Sequence, residues 1–119
     1  MFSLVHHKLQ FWEENKNSSK NYPTMFIEGY YEILKELGDI ILIIDGWKSN
    51  NHDCIFQYLK ENKKDLEIDF DFLSDIRQAR NRINYGGIKL SYDIWKRNEL
   101  NIKLILKRMM KYIEDKLNK

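Results

Sequence analysis

The feature that most constrains the fold is an unbroken helical period of apolar residues that begins at Pro23 and continues to about Trp47. This spacing lays one continuous apolar stripe along a helix. The stripe consists of Phe26, Tyr30, Ile33, Leu37, Ile40 and Ile44. The apolar run 40–44 also suits a strand, but it continues the phase that starts at Phe26, so the length of the pattern favours one long buried helix. Proline is tolerated in a first helical turn, and we expect Thr24 to provide the cap.

Apolar residues with helical spacing flank this segment on both sides. Phe2, Val5, Leu9 and Trp12 predict a first amphipathic helix that ends in the polar segment 15–21. After the cap-forming residues 49–53, Ile55, Tyr58 and Leu59 predict a short third helix, followed by a charged connector at 60–64.

Two further helices complete the predicted fold. The alternating residues 66–72 have no partner strand, so we interpret them as an extended lead-in to a fourth helix capped by Asp69 or Asp71. Ser91 is predicted to cap a fifth helix that continues almost to the C-terminus. The fold class predicted for the single domain 1–119 is all-α, an up-and-down bundle of about five helices.

Composition excludes several classes of function. Twenty basic and eighteen acidic side chains give a formal charge of +2, so any basic site must be local. The single cysteine, Cys54, rules out an internal disulfide framework and offers no zinc spacing, and with no signal peptide it favours a cytoplasmic location. The longest apolar run has five residues, against about 20 for a membrane span. We therefore expect a soluble protein with no cofactor and no metal.

The fourth predicted helix carries two stripes. Its apolar stripe is formed by Phe72, Ile76, Ala79 and Ile83. A second, contiguous stripe is polar and contains Arg77, Arg80, Asn81, Asn84 and Tyr85. Gly86 and Gly87 follow and supply the backbone freedom that ends helices. Two arginines, two amides and a phenol are thus gathered on one face.

The segment RNRINYGG, residues 80–87, resembles the signature of the HEPN family. That signature is an arginine, usually followed by asparagine or another polar residue, and a histidine four to six residues later. Arg80 and Asn81 occupy the first two positions, whereas Tyr85 stands where the histidine is expected. The order of the predicted helices is also similar to that of the family, so the resemblance covers essentially the whole chain, although only these eight residues are specific.

The resemblance implies a homodimer in which two copies of the motif helix face one another and build one cleft. In catalytic members this cleft is a metal-independent ribonuclease, whose histidine assists proton transfer at the ribose 2′-hydroxyl. The residues placed at catalytic positions are Arg80, Asn81 and Tyr85, and those placed at phosphate are Arg77, Arg80, Arg82 and Asn84. Tyrosine is a poor acid or base at neutral pH, so we expect binding of RNA or a nucleotide with cleavage weak or lost. The family is often partnered by a small nucleotidyltransferase.

Three alternatives remain open. Arg80 and Asn81 would be structural if they paired with acids of a neighbouring helix. The chain would be a protein-interaction module if aromatic residues of the second helix, together with the fourth, formed a binding surface; these residues are Tyr22, Tyr30, Tyr31 and Trp47. It would be an active ribonuclease if Tyr85 or His52 replaced the missing histidine.

His6 and His7 are adjacent on a helix and point about 100° apart, which is a poor arrangement for one metal.

Overall fold

A computed structural model describes residues 2–46, 54–63, 66–86 and 91–118, with the side chains of residues 54, 70 and 83–86 excluded. The described chain contains five α-helices, which we number in order: α1 (Phe2–Glu14), α2 (Pro23–Ile44), α3 (Cys54–Asn62), α4 (Phe70–Gly86) and α5 (Tyr92–Leu117). A short 3₁₀ helix, Lys16–Lys20, joins α1 to α2. The predicted all-helical bundle of about five helices is confirmed.

The centre of the bundle is α2, which contacts each of the other four helices. Half of its residues are buried, among them Ile27, Ile33, Leu34, Leu37 and Ile41 with no exposed surface. A helix that is apolar on most sides is stable only when neighbours surround it. The predicted apolar stripe of α2 therefore faces the core, and residues of α2 outside the stripe are buried as well.

Two glycines of α2 allow neighbouring side chains to approach its backbone. A Cβ atom at Gly29 would overlap the indole of Trp12 in α1, and one at Gly38 would overlap the side chain of Ile55 in α3. Gly38 lowers the intrinsic helix propensity by about 1 kcal/mol, yet it permits the close packing of α3 on α2.

The helix ends confirm some of the predicted caps and correct others. Asp69 Oδ1 accepts a hydrogen bond from the Phe72 amide at 3.0 Å, and the Ser91 hydroxyl accepts one from Ile94 at 3.4 Å. The prediction for Thr24 was wrong, because Pro23 is the first helical residue and Tyr22 occupies the cap position without a side-chain bond. Helix α2 ends at Ile44. Helix α3 extends to Asn62, so residues 60–62 of the predicted connector are helical.

Candidate functional site

Helix α4 carries all six residues predicted from the sequence as the site. Its charges are separated along the axis: Asp71 and Asp75 lie in the first part, whereas the segment 76–86 contains three arginines and no acid. Acids near a helix N-terminus and cations towards the C-terminus both interact favourably with the helix dipole. In α4 the first turn contains Asp71, whereas the last turn contains no basic residue. The arginines nevertheless concentrate positive charge in the second half of the helix.

Arg80 lies against α2, where it contacts Glu32 and the ring of Tyr31. One guanidinium nitrogen is 3.8 Å from a carboxylate oxygen of Glu32, and the guanidinium carbon is 5.6 Å from the centre of the Tyr31 ring. The Arg80 side chain is 23% exposed and that of Glu32 is 50% exposed. A strong charge-assisted hydrogen bond would be about 1 Å shorter. Arg80 is thus positioned at the surface and paired with an acid, as the structural alternative predicted.

Arg77, one turn before Arg80, lines a surface cavity of about 200 Å³ between α3 and α4. We call this cavity the α3–α4 pocket; its other lining residues are Phe56, Gln57, Lys60, Asp71, Leu73 and Ser74. The Phe56 ring also contacts the Tyr31 ring, with centres 6.0 Å apart. Arg77 and Arg80 are consequently linked by an aromatic pair, Phe56 and Tyr31.

Four other predicted site residues follow Arg80 on the second half of α4. Asn81 is partly exposed and Arg82 is exposed on α4. Asn84 and Tyr85 belong to α4 by their backbone, but their side chains lie outside the described residues, as do His52 and Trp47. The structure therefore brings Arg77 and Arg80 to one surface and leaves the position of the Tyr85 phenol open to experiment.

The groups of this surface are suited to binding anions. A guanidinium offers a planar fork of donors that matches phosphate oxygens, and it remains charged at every physiological pH.

His6, whose ring edge contacts Phe2, and His7 both lie on α1. Within the described ranges, no three His, Cys, Asp or Glu side chains are arranged to hold a metal ion.

A second polar cluster, which the sequence did not reveal, joins α2, α3 and α5 around Asp45. Tyr58 and Tyr112 donate hydrogen bonds to its two carboxylate oxygens at 2.9 and 3.1 Å, and Lys63 Nζ lies 2.8 Å from Oδ2. Burial raises the pKa of Asp45, but the hydrogen bonds from Lys63, Tyr58 and Tyr112 outweigh it and hold the pKa below its usual range. The bond to Asp45 raises the pKa of Lys63. We call these four residues the Asp45 cluster.

An exposed apolar surface extends over α1 and the beginning of α2. Its large side chains are each more than half exposed: Leu4, Phe11, Tyr22 and Met25. Three shallow recesses of about 340, 280 and 430 Å³ surround Trp12 within it, and the last two reach Glu32, the partner of Arg80. We call this the α1–α2 surface. Contiguous exposed apolar groups of this kind often mark protein interaction sites.

The burial of two tyrosines corrects the set of aromatic residues predicted for an interaction surface. Tyr30 and Tyr31, expected at a binding surface, are only 2% and 4% exposed and belong to the core. Burial, together with Glu13 and Glu99, raises the pKa of the Tyr30 hydroxyl. Of the aromatic residues proposed for that surface, Tyr22 is exposed.

None of the helices described here combines the length and apolar character needed to cross a membrane.

Comparisons with known proteins do not assign the chain to a family. No family model, no curated protein and no solved structure matches the chain.

Proposed function

We propose that the chain is a HEPN-like homodimeric protein of the cytoplasm that binds RNA or nucleotide phosphate through α4. The observation that carries this proposal is the position of Arg77 and Arg80, one turn apart on the acid-free half of α4 and both beside the Phe56–Tyr31 pair. Guanidinium groups one turn apart on a helix, close to a partly exposed ring such as that of Phe56, can bind the phosphates and stack on the bases of a single nucleic-acid strand.

Each of the six predicted site residues of α4 has a role in this proposal. Arg80 binds a phosphate in exchange for Glu32, and Asn81 orients Arg80 or contacts the 2′-hydroxyl. Tyr85 contacts a base or phosphate. The remaining members, Arg77, Arg82 and Asn84, hold neighbouring phosphates. Cleavage is weak or lost, because a tyrosine hydroxyl with an ordinary pKa of about 10 is a poor general acid or base at neutral pH.

The proposed dimer places the two copies of Arg80 on one cleft. The α1–α2 surface supports this arrangement, because it supplies apolar area for association and borders Arg80 through Glu32. Two-fold association through one surface is the commonest form of homodimer. Without the partner copy, the cleft would contain only half of its cations.

The proposal is tested by the binding of a fluorescent single-stranded RNA to the wild type and to Arg77→Ala/Arg80→Ala. We expect the double variant to bind about 10- to 100-fold more weakly. The slope of log affinity against log salt should become shallower by about 0.7 for each phosphate that is no longer bound. The control Lys96→Ala/Arg97→Ala removes the same charge from exposed positions of α5 and should change affinity less than about threefold. Equal losses in the two variants would mean that α4 is not the binding site.

Cleavage is assayed with the same RNA in the absence of metal. We expect little cleavage by the wild type and more by Tyr85→His, with the gain abolished by Arg80→Ala. Metal-free cleavage by the wild type that disappears with Tyr85→Phe would instead establish an active ribonuclease.

The α1–α2 surface also favours a second candidate function, a non-catalytic module that binds another protein such as a nucleotidyltransferase. The molar mass from light scattering, measured for the purified chain and for Leu4→Ser/Phe11→Ser, distinguishes the homodimer from a module that binds another protein. A wild-type dimer that dissociates in the variant supports the homodimer. A wild-type monomer that nevertheless binds RNA through α4 would assign the surface to a different protein.

A further inference from the structure

The α3–α4 pocket combines charge and size in a way that points to a particular ligand group. Two of its lining side chains are cationic, Lys60 from α3 and Arg77 from α4, and Ser74 adds a hydroxyl donor. The carboxylate of Asp71 is the only acid among the lining residues described, so the local balance is positive. Gln57 is already engaged, since its amide donates to Glu61 at 2.7 Å.

These donors match a phosphate group bonded to a sugar. An arginine fork and a lysine point charge on opposite walls can hold separate phosphate oxygens, and a serine hydroxyl can donate to a third. A carboxylate repels phosphate but accepts hydrogen bonds from neutral hydroxyl groups. Asp71 therefore favours a sugar phosphate over a free phosphate ion.

The size of the pocket limits how much of the ligand it can enclose. A volume of about 200 Å³ is below the roughly 300 Å³ at which pockets begin to accommodate whole small-molecule ligands. The partly exposed ring of Phe56 provides an apolar wall on which the carbon face of a pentose can lie. A phosphate and its pentose fit this description, whereas the base remains outside.

We propose that the α3–α4 pocket binds the terminal phosphomonoester of an RNA strand together with its ribose. The RNA source of the ligand rests on the proposed function, whereas the affinity for a sugar phosphate does not. Arg77 belongs both to the pocket and to the polar stripe of α4, so an end held in the pocket leads the next nucleotides towards Arg80. The pocket thereby selects strands by their ends.

Calorimetry with ribose 5-phosphate, inorganic phosphate and ribose tests the pocket alone. We expect ribose 5-phosphate to bind the wild type about tenfold more tightly than phosphate or ribose, and Lys60→Gln/Ser74→Ala to weaken it about tenfold. The control Lys20→Gln/Ser3→Ala changes the same residue types at exposed positions elsewhere and should bind like the wild type. No preference for ribose 5-phosphate, or equal weakening in the control, would overturn the proposal.

RNA strands of one sequence with 5′-phosphate, 3′-phosphate or only hydroxyl ends test the source of the ligand. We expect one phosphorylated end to bind about tenfold more tightly than hydroxyl ends, and Lys60→Gln/Ser74→Ala to abolish the difference. Equal binding of all strands would overturn the RNA end as ligand while leaving general RNA binding intact. Binding of ribose 5-phosphate without any RNA binding would instead overturn the proposed function and retain the sugar-phosphate pocket.

Discussion

Asp45 and Arg80 are both charged residues at helix junctions, but their partners hold them very differently. The Asp45 carboxylate is only 13% exposed. Three donors lie within 3.1 Å of it: Tyr58 of α3, Lys63 just after α3, and Tyr112 of α5. The Glu32 carboxylate, which is half exposed, lies 3.8 Å from the Arg80 guanidinium. Water competes more strongly for the second pair, so the Coulomb attraction there contributes little.

The comparison separates two uses of charge. A closed cluster, in which both oxygens of a carboxylate accept hydrogen bonds from other helices, fixes how helices pack. An open pair can exchange its partner for a ligand at little cost. The Asp45 cluster is accordingly expected to affect stability, whereas Arg80 is expected to affect binding.

The largest effect is expected from Asp45→Ala, which removes the acceptor shared by Tyr58, Tyr112 and Lys63. We expect the free energy of unfolding to fall by about 3 kcal/mol, because two phenols and an ammonium lose their partner in a partly buried site. Urea denaturation measures this loss. The control Asp115→Ala removes an exposed acid of α5 and should cost less than about 0.5 kcal/mol. Similar losses in the two variants would show that the Asp45 cluster does not hold the helices together.

The sequence was sufficient for the helices because each one carries its own apolar period and, for α4 and α5, its own cap. Asp69 and Ser91 act locally, within three residues of the groups they bind. Thr24 was misassigned because proline and threonine are both acceptable at a helix start, and the fixed dihedral of Pro23 favoured the position inside the helix.

Features that depend on packing were not available from the sequence. Asp45 and Tyr112 are 67 residues apart, and no local pattern joins them. Tyr30 and Tyr31 were expected at a surface because aromatic residues are common at interfaces, but α2 packs against all four other helices and buries both rings. The stripe of Arg77 and Arg80 was predictable from helical spacing, whereas the pairing with Glu32 required the position of α2 relative to α4.

A smaller effect is expected from pH. Because the folded-state pKa of Asp45 is lowered, its stabilisation is fully present above the unfolded-state value of about 3.9 and is lost as pH falls through the folded-state value. Lys63 and Tyr58 have raised pKa values and keep their protons throughout this range. Asp45→Asn should therefore cost about 2 kcal/mol at neutral pH, and this cost should shrink as pH falls through the folded-state pKa of Asp45, below which aspartic acid and asparagine carry the same charge.

Urea titrations of the wild type and Asp45→Asn across this range measure the difference directly. The other carboxylates titrate equally in both proteins, so their contribution cancels. A difference that stays constant down to the lowest pH at which both proteins fold would mean that the charge of Asp45 is not what the cluster uses. Asp45 would then resemble Arg80 more than the distances indicate.

The smallest effect, and the most direct test of the comparison, is expected from Glu32→Gln. If Arg80 binds phosphate in exchange for Glu32, removing the acid should raise RNA affinity about threefold, because a competing partner and a charge that repels phosphate are both lost. The free energy of unfolding should change by less than about 1 kcal/mol, as is usual for an exposed ion pair. The gain should vanish when Arg80→Ala is already present, because the two substitutions act through one pair. Glu36→Gln, which removes an acid one turn further along α2 that pairs with Lys8, should raise affinity less. Unchanged RNA binding with a loss of stability well above 1 kcal/mol would place the Arg80–Glu32 pair with the Asp45 cluster, as a contact that holds α4 to α2.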